Sequence, residues 1–166
     1  MAMSAVDGYA AIVAAPGFAL GVCCSDEEIT AIEFLEPQPE VAATSPLAAE
    51  AARQLHAYLG DPAFDFGLPL RPAGTPFQRR VWAEIAAIPH GETRCYGQLA
   101  KSLKNAPRAV GQACGANPYP LVVPCHRVVA SGGGLGGFNR QDGGFLLDVK
   151  RWLLKHEGSE LADQRG

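Results

Sequence analysis

The sequence predicts an α+β protein built as two small domains: an antiparallel sheet with one helix, then a mostly helical part that includes a helix-turn-helix. Three observations carry this expectation. Residues 9–35 hold three short apolar runs separated by turn residues. A proline- and glycine-rich stretch, residues 61–74, breaks the pattern where the charge changes sign. Beyond it, apolar residues recur at helical spacing in segments bounded by start and stop signals.

The first strand is read over residues 9–15, the second over 18–24 and the third over 29–35. Pro16-Gly17 joins the first pair as a tight turn, and Ser25-Asp26-Glu27-Glu28 makes the next. After a loop carrying Pro37 and Pro39, Ser45 reads as a helix N-cap with Pro46 at the first helical position. Ala48, Ala51, Ala52, Leu55 and Leu59 form one face of that helix, and Gly60-Asp61-Pro62 stops it. Residues 61–74 read as a linker. The boundary is placed near Arg71, giving domains 1–70 and 71–166.

In the second part, Thr75 and Gln78 form a capping box with Pro76 between them. Phe77, Val81, Ile85 and Ile88 follow at helical spacing until Pro89-His90-Gly91. A short helix is read from Tyr96 to Leu103, with Leu99, Ala100 and Leu103 inward. Lys104-Asn105-Ala106 leads into a third helix opened by Pro107, with Ala109, Val110, Ala113 and Cys114 along it. Two short helices on a tight turn suit a helix-turn-helix. Asn117-Pro118-Tyr119-Pro120 ends the pair. Residues 121–130 then read as buried strand around Pro124-Cys125-His126-Arg127. Residues 131–144 hold seven glycines and read as a loop able to wall a pocket. A last helix over 145–157 places Leu146, Val149 and Leu153 on one face, with Gly158 as its cap.

Hydrophobic residues make up 48% and charged residues 19%, so the chain has a core to bury and is not disordered. No apolar run reaches transmembrane length, and the N-terminus lacks a signal-peptide pattern, which points to the cytoplasm and to no membrane partner. The five cysteines have no Cys-x-x-Cys spacing, which argues against a disulfide framework and a zinc site. Cys23-Cys24 read as small core or edge residues. Net charge is −3, but residues 1–70 hold one base against ten acids (−9), and residues 71–166 thirteen bases against seven acids (+6). Such asymmetry suits a second half that meets a polyanion, and ordinary solubility charge explains it equally well.

Cys125 and His126 are the candidates for chemistry. A thiolate is a nucleophile, and a neighbouring base activates it. Adjacent strand residues point to opposite faces, so a direct Cys–His hydrogen bond requires a bend at Pro124, or a bridging water. A working histidine also needs a third group to fix its tautomer, and Glu157 supplies one only if the fold brings it near. On the residues alone, a buried cysteine beside a satisfied core histidine is the commoner case, and both readings stand. Arg108 sits at a helix start among Ala106, Ala109 and Gly111, small enough to let the helix enter a groove. Tyr96 opens the preceding helix and has a hydroxyl to donate.

These residues recur together. Gly74-Thr75-Pro76-Phe77-Gln78 with Val81-Trp82, Ile88-Pro89-His90-Gly91-Glu92-Thr93 with Tyr96, Arg108-Ala109-Val110-Gly111, Asn117-Pro118, Val123-Pro124-Cys125-His126-Arg127-Val128-Val129, and Arg151-Trp152-Leu153-Leu154 with His156-Glu157-Gly158 closely resemble the O6-alkylguanine-DNA alkyltransferase family. The resemblance covers about residues 73–158. The N-terminal sheet and helix fit that family's ribonuclease-H-like domain by layout.

The resemblance implies a DNA repair protein that flips O6-alkylguanine from duplex DNA and moves the alkyl group irreversibly to Cys125. His126 would act through a water as base, and Glu157 would orient it. Tyr96 would donate a proton and help rotate the nucleotide. Arg108, with Ala109 and Gly111 beside it, would enter the groove and fill the stack. Asn117 would tie the helix to the active-site segment. The carbonyls of Cys125 and Val128 would read the exocyclic amine. Phe138 and Asn139 would line the alkyl pocket. The implied partner is double-stranded DNA carrying O6-alkylguanine, with O4-alkylthymine as a further lesion. The resemblance implies no dissociable cofactor, and a monomer is expected. Some members of that family carry a zinc site in the N-terminal domain, but matching ligands are not evident in this sequence, so no metal is expected. Two departures stand out: the loop after Phe138 is longer than usual, and Gln112 and Gly115 replace a more usual glycine and basic residue, so lower DNA affinity is expected. Two rival functions are a lesion sensor that lacks transfer, which the presence of Cys125 disfavours, and a cysteine hydrolase, for which no oxyanion hole is evident.

Overall fold

The computed structural model describes residues 8–130, 134–136 and 144–159. The chain divides into two compact units, Met1–Pro72 and Ala73–Gly166. The α+β class expected from the sequence is the class observed.

In the first unit, β1 (Ala11–Ala15), β2 (Phe18–Cys24) and β3 (Ile29–Leu35) form an antiparallel sheet in that order. Ala15 pairs with Phe18 across the two-residue Pro16-Gly17 turn, where Gly17 adopts φ +83°, a conformation open to glycine at no steric cost. The first strand begins two residues later than expected. Tyr9 instead hydrogen-bonds to Glu33. α1 (Pro46–Gly60) starts at the Ser45 cap, whose hydroxyl accepts from the Ala48 amide. It packs on β1 and β2 through Ala48, Ala51, Leu55 and Tyr58. Ala52 and Leu59, expected on that face, are only half-buried.

Residues 61–74 are not the free linker the composition suggests. Leu70 bridges to Ile29, with the Arg71 amide donating to the Ile29 carbonyl at 2.9 Å. Gln54, buried in α1, clasps the Gly67 backbone by donating to its carbonyl at 3.1 Å and accepting from its amide at 2.8 Å. Phe66 meets Tyr58 with ring centroids 5.6 Å apart. Val41 pairs with Ile12 on the opposite edge. Both sheet edges thus gain backbone partners. Such coverage is invisible in a local reading, because glycine and proline signal a turn without saying what the turn packs on.

The second unit is mostly helical. α2 (Pro76–Ala86) begins with the complete Thr75/Gln78 capping box. β4 (Arg94–Cys95), absent from the sequence reading, leads into α3 (Tyr96–Leu103), and α4 (Pro107–Gly115) follows. Leu99, Ala100 and Leu103 of α3 and Val110, Ala113 and Cys114 of α4 are buried. Lys104 makes the turn between these helices at φ +57°. The Trp82 indole donates to the Ala113 carbonyl at 2.8 Å and pins α2 to α4.

The expected buried strand over 121–130 is corrected. Pro124 lacks an amide for a sheet ladder, and the Cys125 amide turns back to the Val123 carbonyl at 2.8 Å. Cys125–Arg127 is a single 3₁₀ turn, and only Val128–Val129 forms a strand, β5, parallel to β4. α5 (Phe145–His156) closes the unit. Its buried face is Leu147, Val149, Lys150, Leu153 and Leu154. Leu146, expected inward, is half-buried, and a fully buried lysine stands where the periodicity had no place for one.

Thr75→Ala removes the hydroxyl that satisfies the Gln78 amide at the start of α2. Its unfolding free energy is expected to fall by about 1 kcal/mol, read from the urea midpoint. An unchanged midpoint would show that solvent serves that amide equally well.

Candidate active site

Cys125 begins the 3₁₀ turn with 3% of its surface exposed. Its sulfur accepts from the Asn117 amide nitrogen at 3.2 Å. The same nitrogen donates to the Val123 carbonyl at 2.9 Å, and the Asn117 carbonyl oxygen accepts from the Tyr119 amide. One side chain beyond the end of α4 therefore holds both flanks of the thiol. Cys114 is also buried in α4. The Cys114 thiol first, and then burial, push the Cys125 thiol well above its ordinary value, while Asn117 and the Lys150 charge act against the rise.

His126 is 1% exposed, and its Nε2 lies 2.8 Å from Glu157 Oε2. A carboxylate only accepts, so Nε2 carries the proton. Burial lowers the imidazole pKa despite the opposing pull of Glu157, and neutral His126 then presents a bare Nδ1. Nδ1 is buried and has no hydrogen-bond partner among the described residues.

Arg127 completes the cluster. Its Nε donates to Glu157 Oε1 at 2.9 Å, its Nη2 to Oε2 at 3.0 Å and its Nη1 to the Ile88 carbonyl at 2.6 Å. A planar guanidinium thereby neutralises the buried carboxylate that orients His126. Gly91, at φ +82°, leaves room for the Glu157 carbonyl, which would stand only 3.2 Å from a Cβ there.

Lys150 has no exposed surface. It donates to the carbonyls of Val128 at 2.8 Å and Leu135 at 2.6 Å, and burial lowers its pKa to about 8. Sequence reasoning missed it, because a lysine on an amphipathic helix reads as solvated. The one available signal was its position between Val149 and the Leu153-Leu154 pair, inside the buried stripe. Tyr96 is half-buried at the start of α3, near Cys114 and Cys125, and burial raises its phenol above the usual range. One side of its ring lies so close to Gly136 that a Cβ there would meet Cε2 at 3.1 Å.

Arg108 is exposed on the first turn of α4. It lines an open groove of about 1130 Å³ with Thr75, Phe77, Gln78, Ala109, Gly111 and Gln112. Ala109 and Gly111 are half-buried there. Cys125, His126, Glu157, Asn117 and Val128 form the chemical cluster, Tyr96 stands near its sulfur, and Arg108 lies in the groove instead. Phe138 and Asn139 lie outside the described residues.

This fold and site define a class: a cysteine protein whose thiol is buried beneath a helix-turn-helix pair. Comparison with known proteins then places the chain within one family. Residues 76–159 match the model for the DNA binding domain of 6-O-methylguanine DNA methyltransferase, and the chain belongs to that family. It is 47% identical over 112 residues to a methylated-DNA–protein-cysteine methyltransferase of Methanosarcina acetivorans, a match covering 66% of this chain and 69% of that one. Its similarity to the protein of the same name from Salmonella typhimurium is 54% over 87 residues, covering 51% and 48%. Among solved structures it resembles Mycobacterium tuberculosis OGT in complex with DNA, with a TM-score of 0.74 and 34% identity over 88% of this chain and 90% of that chain. An O6-methylguanine DNA methyltransferase from Methanococcus jannaschii gives a TM-score of 0.64 and 26% identity over 88% and 92%.

Two outcomes follow from the Glu157 cluster. Arg127→Met leaves the buried carboxylate with His126 alone, and unfolding free energy is expected to drop by about 3–5 kcal/mol. A loss below about 1 kcal/mol in chemical denaturation would mean that the guanidinium does not hold Glu157. The second outcome concerns acid. Since the folded His126 pKa lies below 6.5, the unfolded chain takes up its proton first as pH falls. Stability from this residue is present above pH 6.5 and is lost below it. His126→Gln is expected to flatten the fall in thermal midpoint below that pH, and a fall as steep as the wild type's would assign it to other groups.

Proposed function

We propose that this protein repairs O6-alkylguanine in duplex DNA by transferring the alkyl group to its own Cys125. The observation that carries the reading is the bare, buried Nδ1 of neutral His126, fixed by Glu157 in the residue next to a buried thiol. A thiol held above its ordinary pKa rests uncharged, and a base beside it generates the thiolate when substrate arrives. His126 acts on that thiol through a water, in keeping with the absence of a direct Cys–His hydrogen bond among the described residues.

The thiolate attacks the alkyl carbon. A carbon–sulfur bond forms, the bond to guanine O6 breaks, and the base leaves with a proton. Tyr96, kept protonated by burial, supplies that proton. The carbonyls of Cys125 and Val128 already accept one hydrogen bond each, from the Val128 amide and from Lys150, and each keeps a second lone pair for the guanine amine. The thioether has no good leaving group, so each molecule acts once.

A base within a duplex cannot reach a buried sulfur, so it is flipped at a cost of a few kcal/mol. Arg108, exposed at the groove end of α4, is the residue to fill the gap, with Ala109 and Gly111 letting the helix approach. Duplex DNA with O6-alkylguanine is the partner, and O4-alkylthymine, with the same exposed alkoxy group, is a second lesion for the same pocket. The chemistry belongs to residues 71–166, in a monomer and in a cytoplasmic setting. Residues 1–70 form a ribonuclease-H-like domain.

Incubation with an O6-methylguanine duplex is expected to add one methyl group per protein, mapped to Cys125 by peptide mass, and Cys125→Ser is expected to add none. Repaired DNA with an unmodified Cys125 would sink the reading. Arg108→Ala is expected to slow transfer on duplex far more than on the free methylated base. Equal slowing on both would remove Arg108 from the flipping step.

A further inference from the structure

Two polar side chains of α4 are used by nothing in the protein itself. Among the described residues of the second unit, Arg79, Arg80, Arg94, Arg127 and Arg151 each donate to a carbonyl or carboxylate of the chain, and Arg108 does not. The described glutamines divide in the same way. Gln38, Gln54, Gln78 and Gln98 each engage their amide within the protein, and Gln112 does not. Arg108 and Gln112 are both exposed, and they stand four residues apart, so they leave the same face of α4. Both line the open groove whose other wall is the start of α2, with Thr75, Phe77 and Gln78. Between them the wall carries only Ala109 and Gly111.

We propose that Gln112 reads the minor-groove edge of a base pair beside the damaged guanine, and that repair is faster where this pair carries a guanine amine. The inference rests on the reading of Cys125 as the alkyl acceptor and of Arg108 as the residue that fills the emptied stack. Side chains that wedge into a base stack enter from the minor groove. That groove is about 6 Å wide, too narrow for a helix face of long side chains but open to one of alanine and glycine. With Arg108 in the stack, Gln112 lies roughly 6 Å further along α4, on the order of two base-pair steps. It meets one side of the lesion only, because α4 begins at Pro107, one residue before Arg108.

The chemistry of the amide sets the preference. Every base pair offers acceptors in the minor groove, and only a pair with guanine adds a donor, its 2-amino group. A glutamine donates through its nitrogen and accepts through its oxygen, so it makes one hydrogen bond at A·T and a second at G·C. Glycine, the more usual residue of the family at this position, has no side chain to do this, and lysine or arginine would bring donors only. In the major groove the same amide would favour adenine, so the preferred base reports which edge it meets.

The test uses O6-methylguanine duplexes that vary one pair at a time, one or two steps to either side of the lesion. Four pairs are compared: G·C, inosine·C, A·T and 2,6-diaminopurine·T. Inosine lacks the guanine amine and 2,6-diaminopurine adds it to adenine, so the amine is separated from the identity of the pair. The second-order rate of methyl transfer is expected to be roughly three- to tenfold higher with the two amine-bearing pairs, on one side of the lesion. Gln112→Met and Gln112→Ala, two variants in case one folds poorly, are expected to erase that ratio. Gln112→Glu keeps the acceptor but adds a charge that phosphates repel, so it is expected to transfer more slowly on all four duplexes and to keep the preference. Equal rates on all four duplexes, a preference for adenine, or a ratio that survives both Gln112→Met and Gln112→Ala would overturn the inference. The same ratios are read as equilibrium binding of Cys125→Ser by fluorescence anisotropy, which needs no transfer. A binding preference without methyl transfer by the wild type sinks the proposed function alone, and transfer without any preference sinks this inference alone.

Discussion

The buried carboxylate of Glu157 is the group on which the site depends. An isolated charge at that depth costs several kcal/mol, so the fold must surround it with donors. It does so with His126 on one oxygen and the Arg127 guanidinium across both. Arg127 in turn reaches the Ile88 carbonyl just past the end of α2. Three segments distant in sequence are thus drawn to one carboxylate: the end of α5, the 3₁₀ turn and the exit of α2. Neighbouring residues of a strand point to opposite faces, and His126 and Arg127 would then not share a partner. The turn between Pro124 and Val128 lets both meet Glu157. The local departure from strand geometry is therefore what lets both side chains share one carboxylate.

The environment of Cys125 combines opposing influences. Burial and the Cys114 thiol favour the neutral sulfur, while Asn117 and Lys150 favour the anion. A resting thiol is less open to adventitious electrophiles than a thiolate. Lys150 is buried without any exposed surface, a position that strongly disfavours its charge, and burial lowers its pKa to about 8. Two backbone carbonyls, Val128 and Leu135, satisfy two of its protons and tie α5 to β5. The same lysine thus links packing, through β5, with the electrostatics of the sulfur.

The open groove and the buried thiol are reached from opposite ends of the same helix. The first turn of α4 carries exposed Arg108 beside the groove, and the last turn carries Cys114, followed by Asn117 at the thiol. The indole of Trp82 holds α4 to α2 near its chemical end. One rigid element thus runs from a surface groove to a buried sulfur.

What the sequence by itself determined is local. The Ser45 and Thr75 caps, the Pro16-Gly17 turn, α1, α3 and α4 follow from hydrogen bonds and backbone preferences that span a few residues. Motif resemblance also marked Cys125, His126, Asn117 and Glu157 as belonging together, although nothing in their spacing alone brings residues 126 and 157 to 2.8 Å. Tertiary structure decided the rest. It made a 3₁₀ turn of an apolar run that reads as strand, packed residues 61–72 against the first sheet and helix where composition reads as linker, and buried Lys150 where periodicity expects an apolar face. It set Arg127, unexplained by sequence, as the clamp on Glu157, and brought Asn117 to the Cys125 sulfur. In each case the deciding partner lies far along the chain, and the energy that fixes the residue comes from burial and pairing with that partner rather than from its own neighbours.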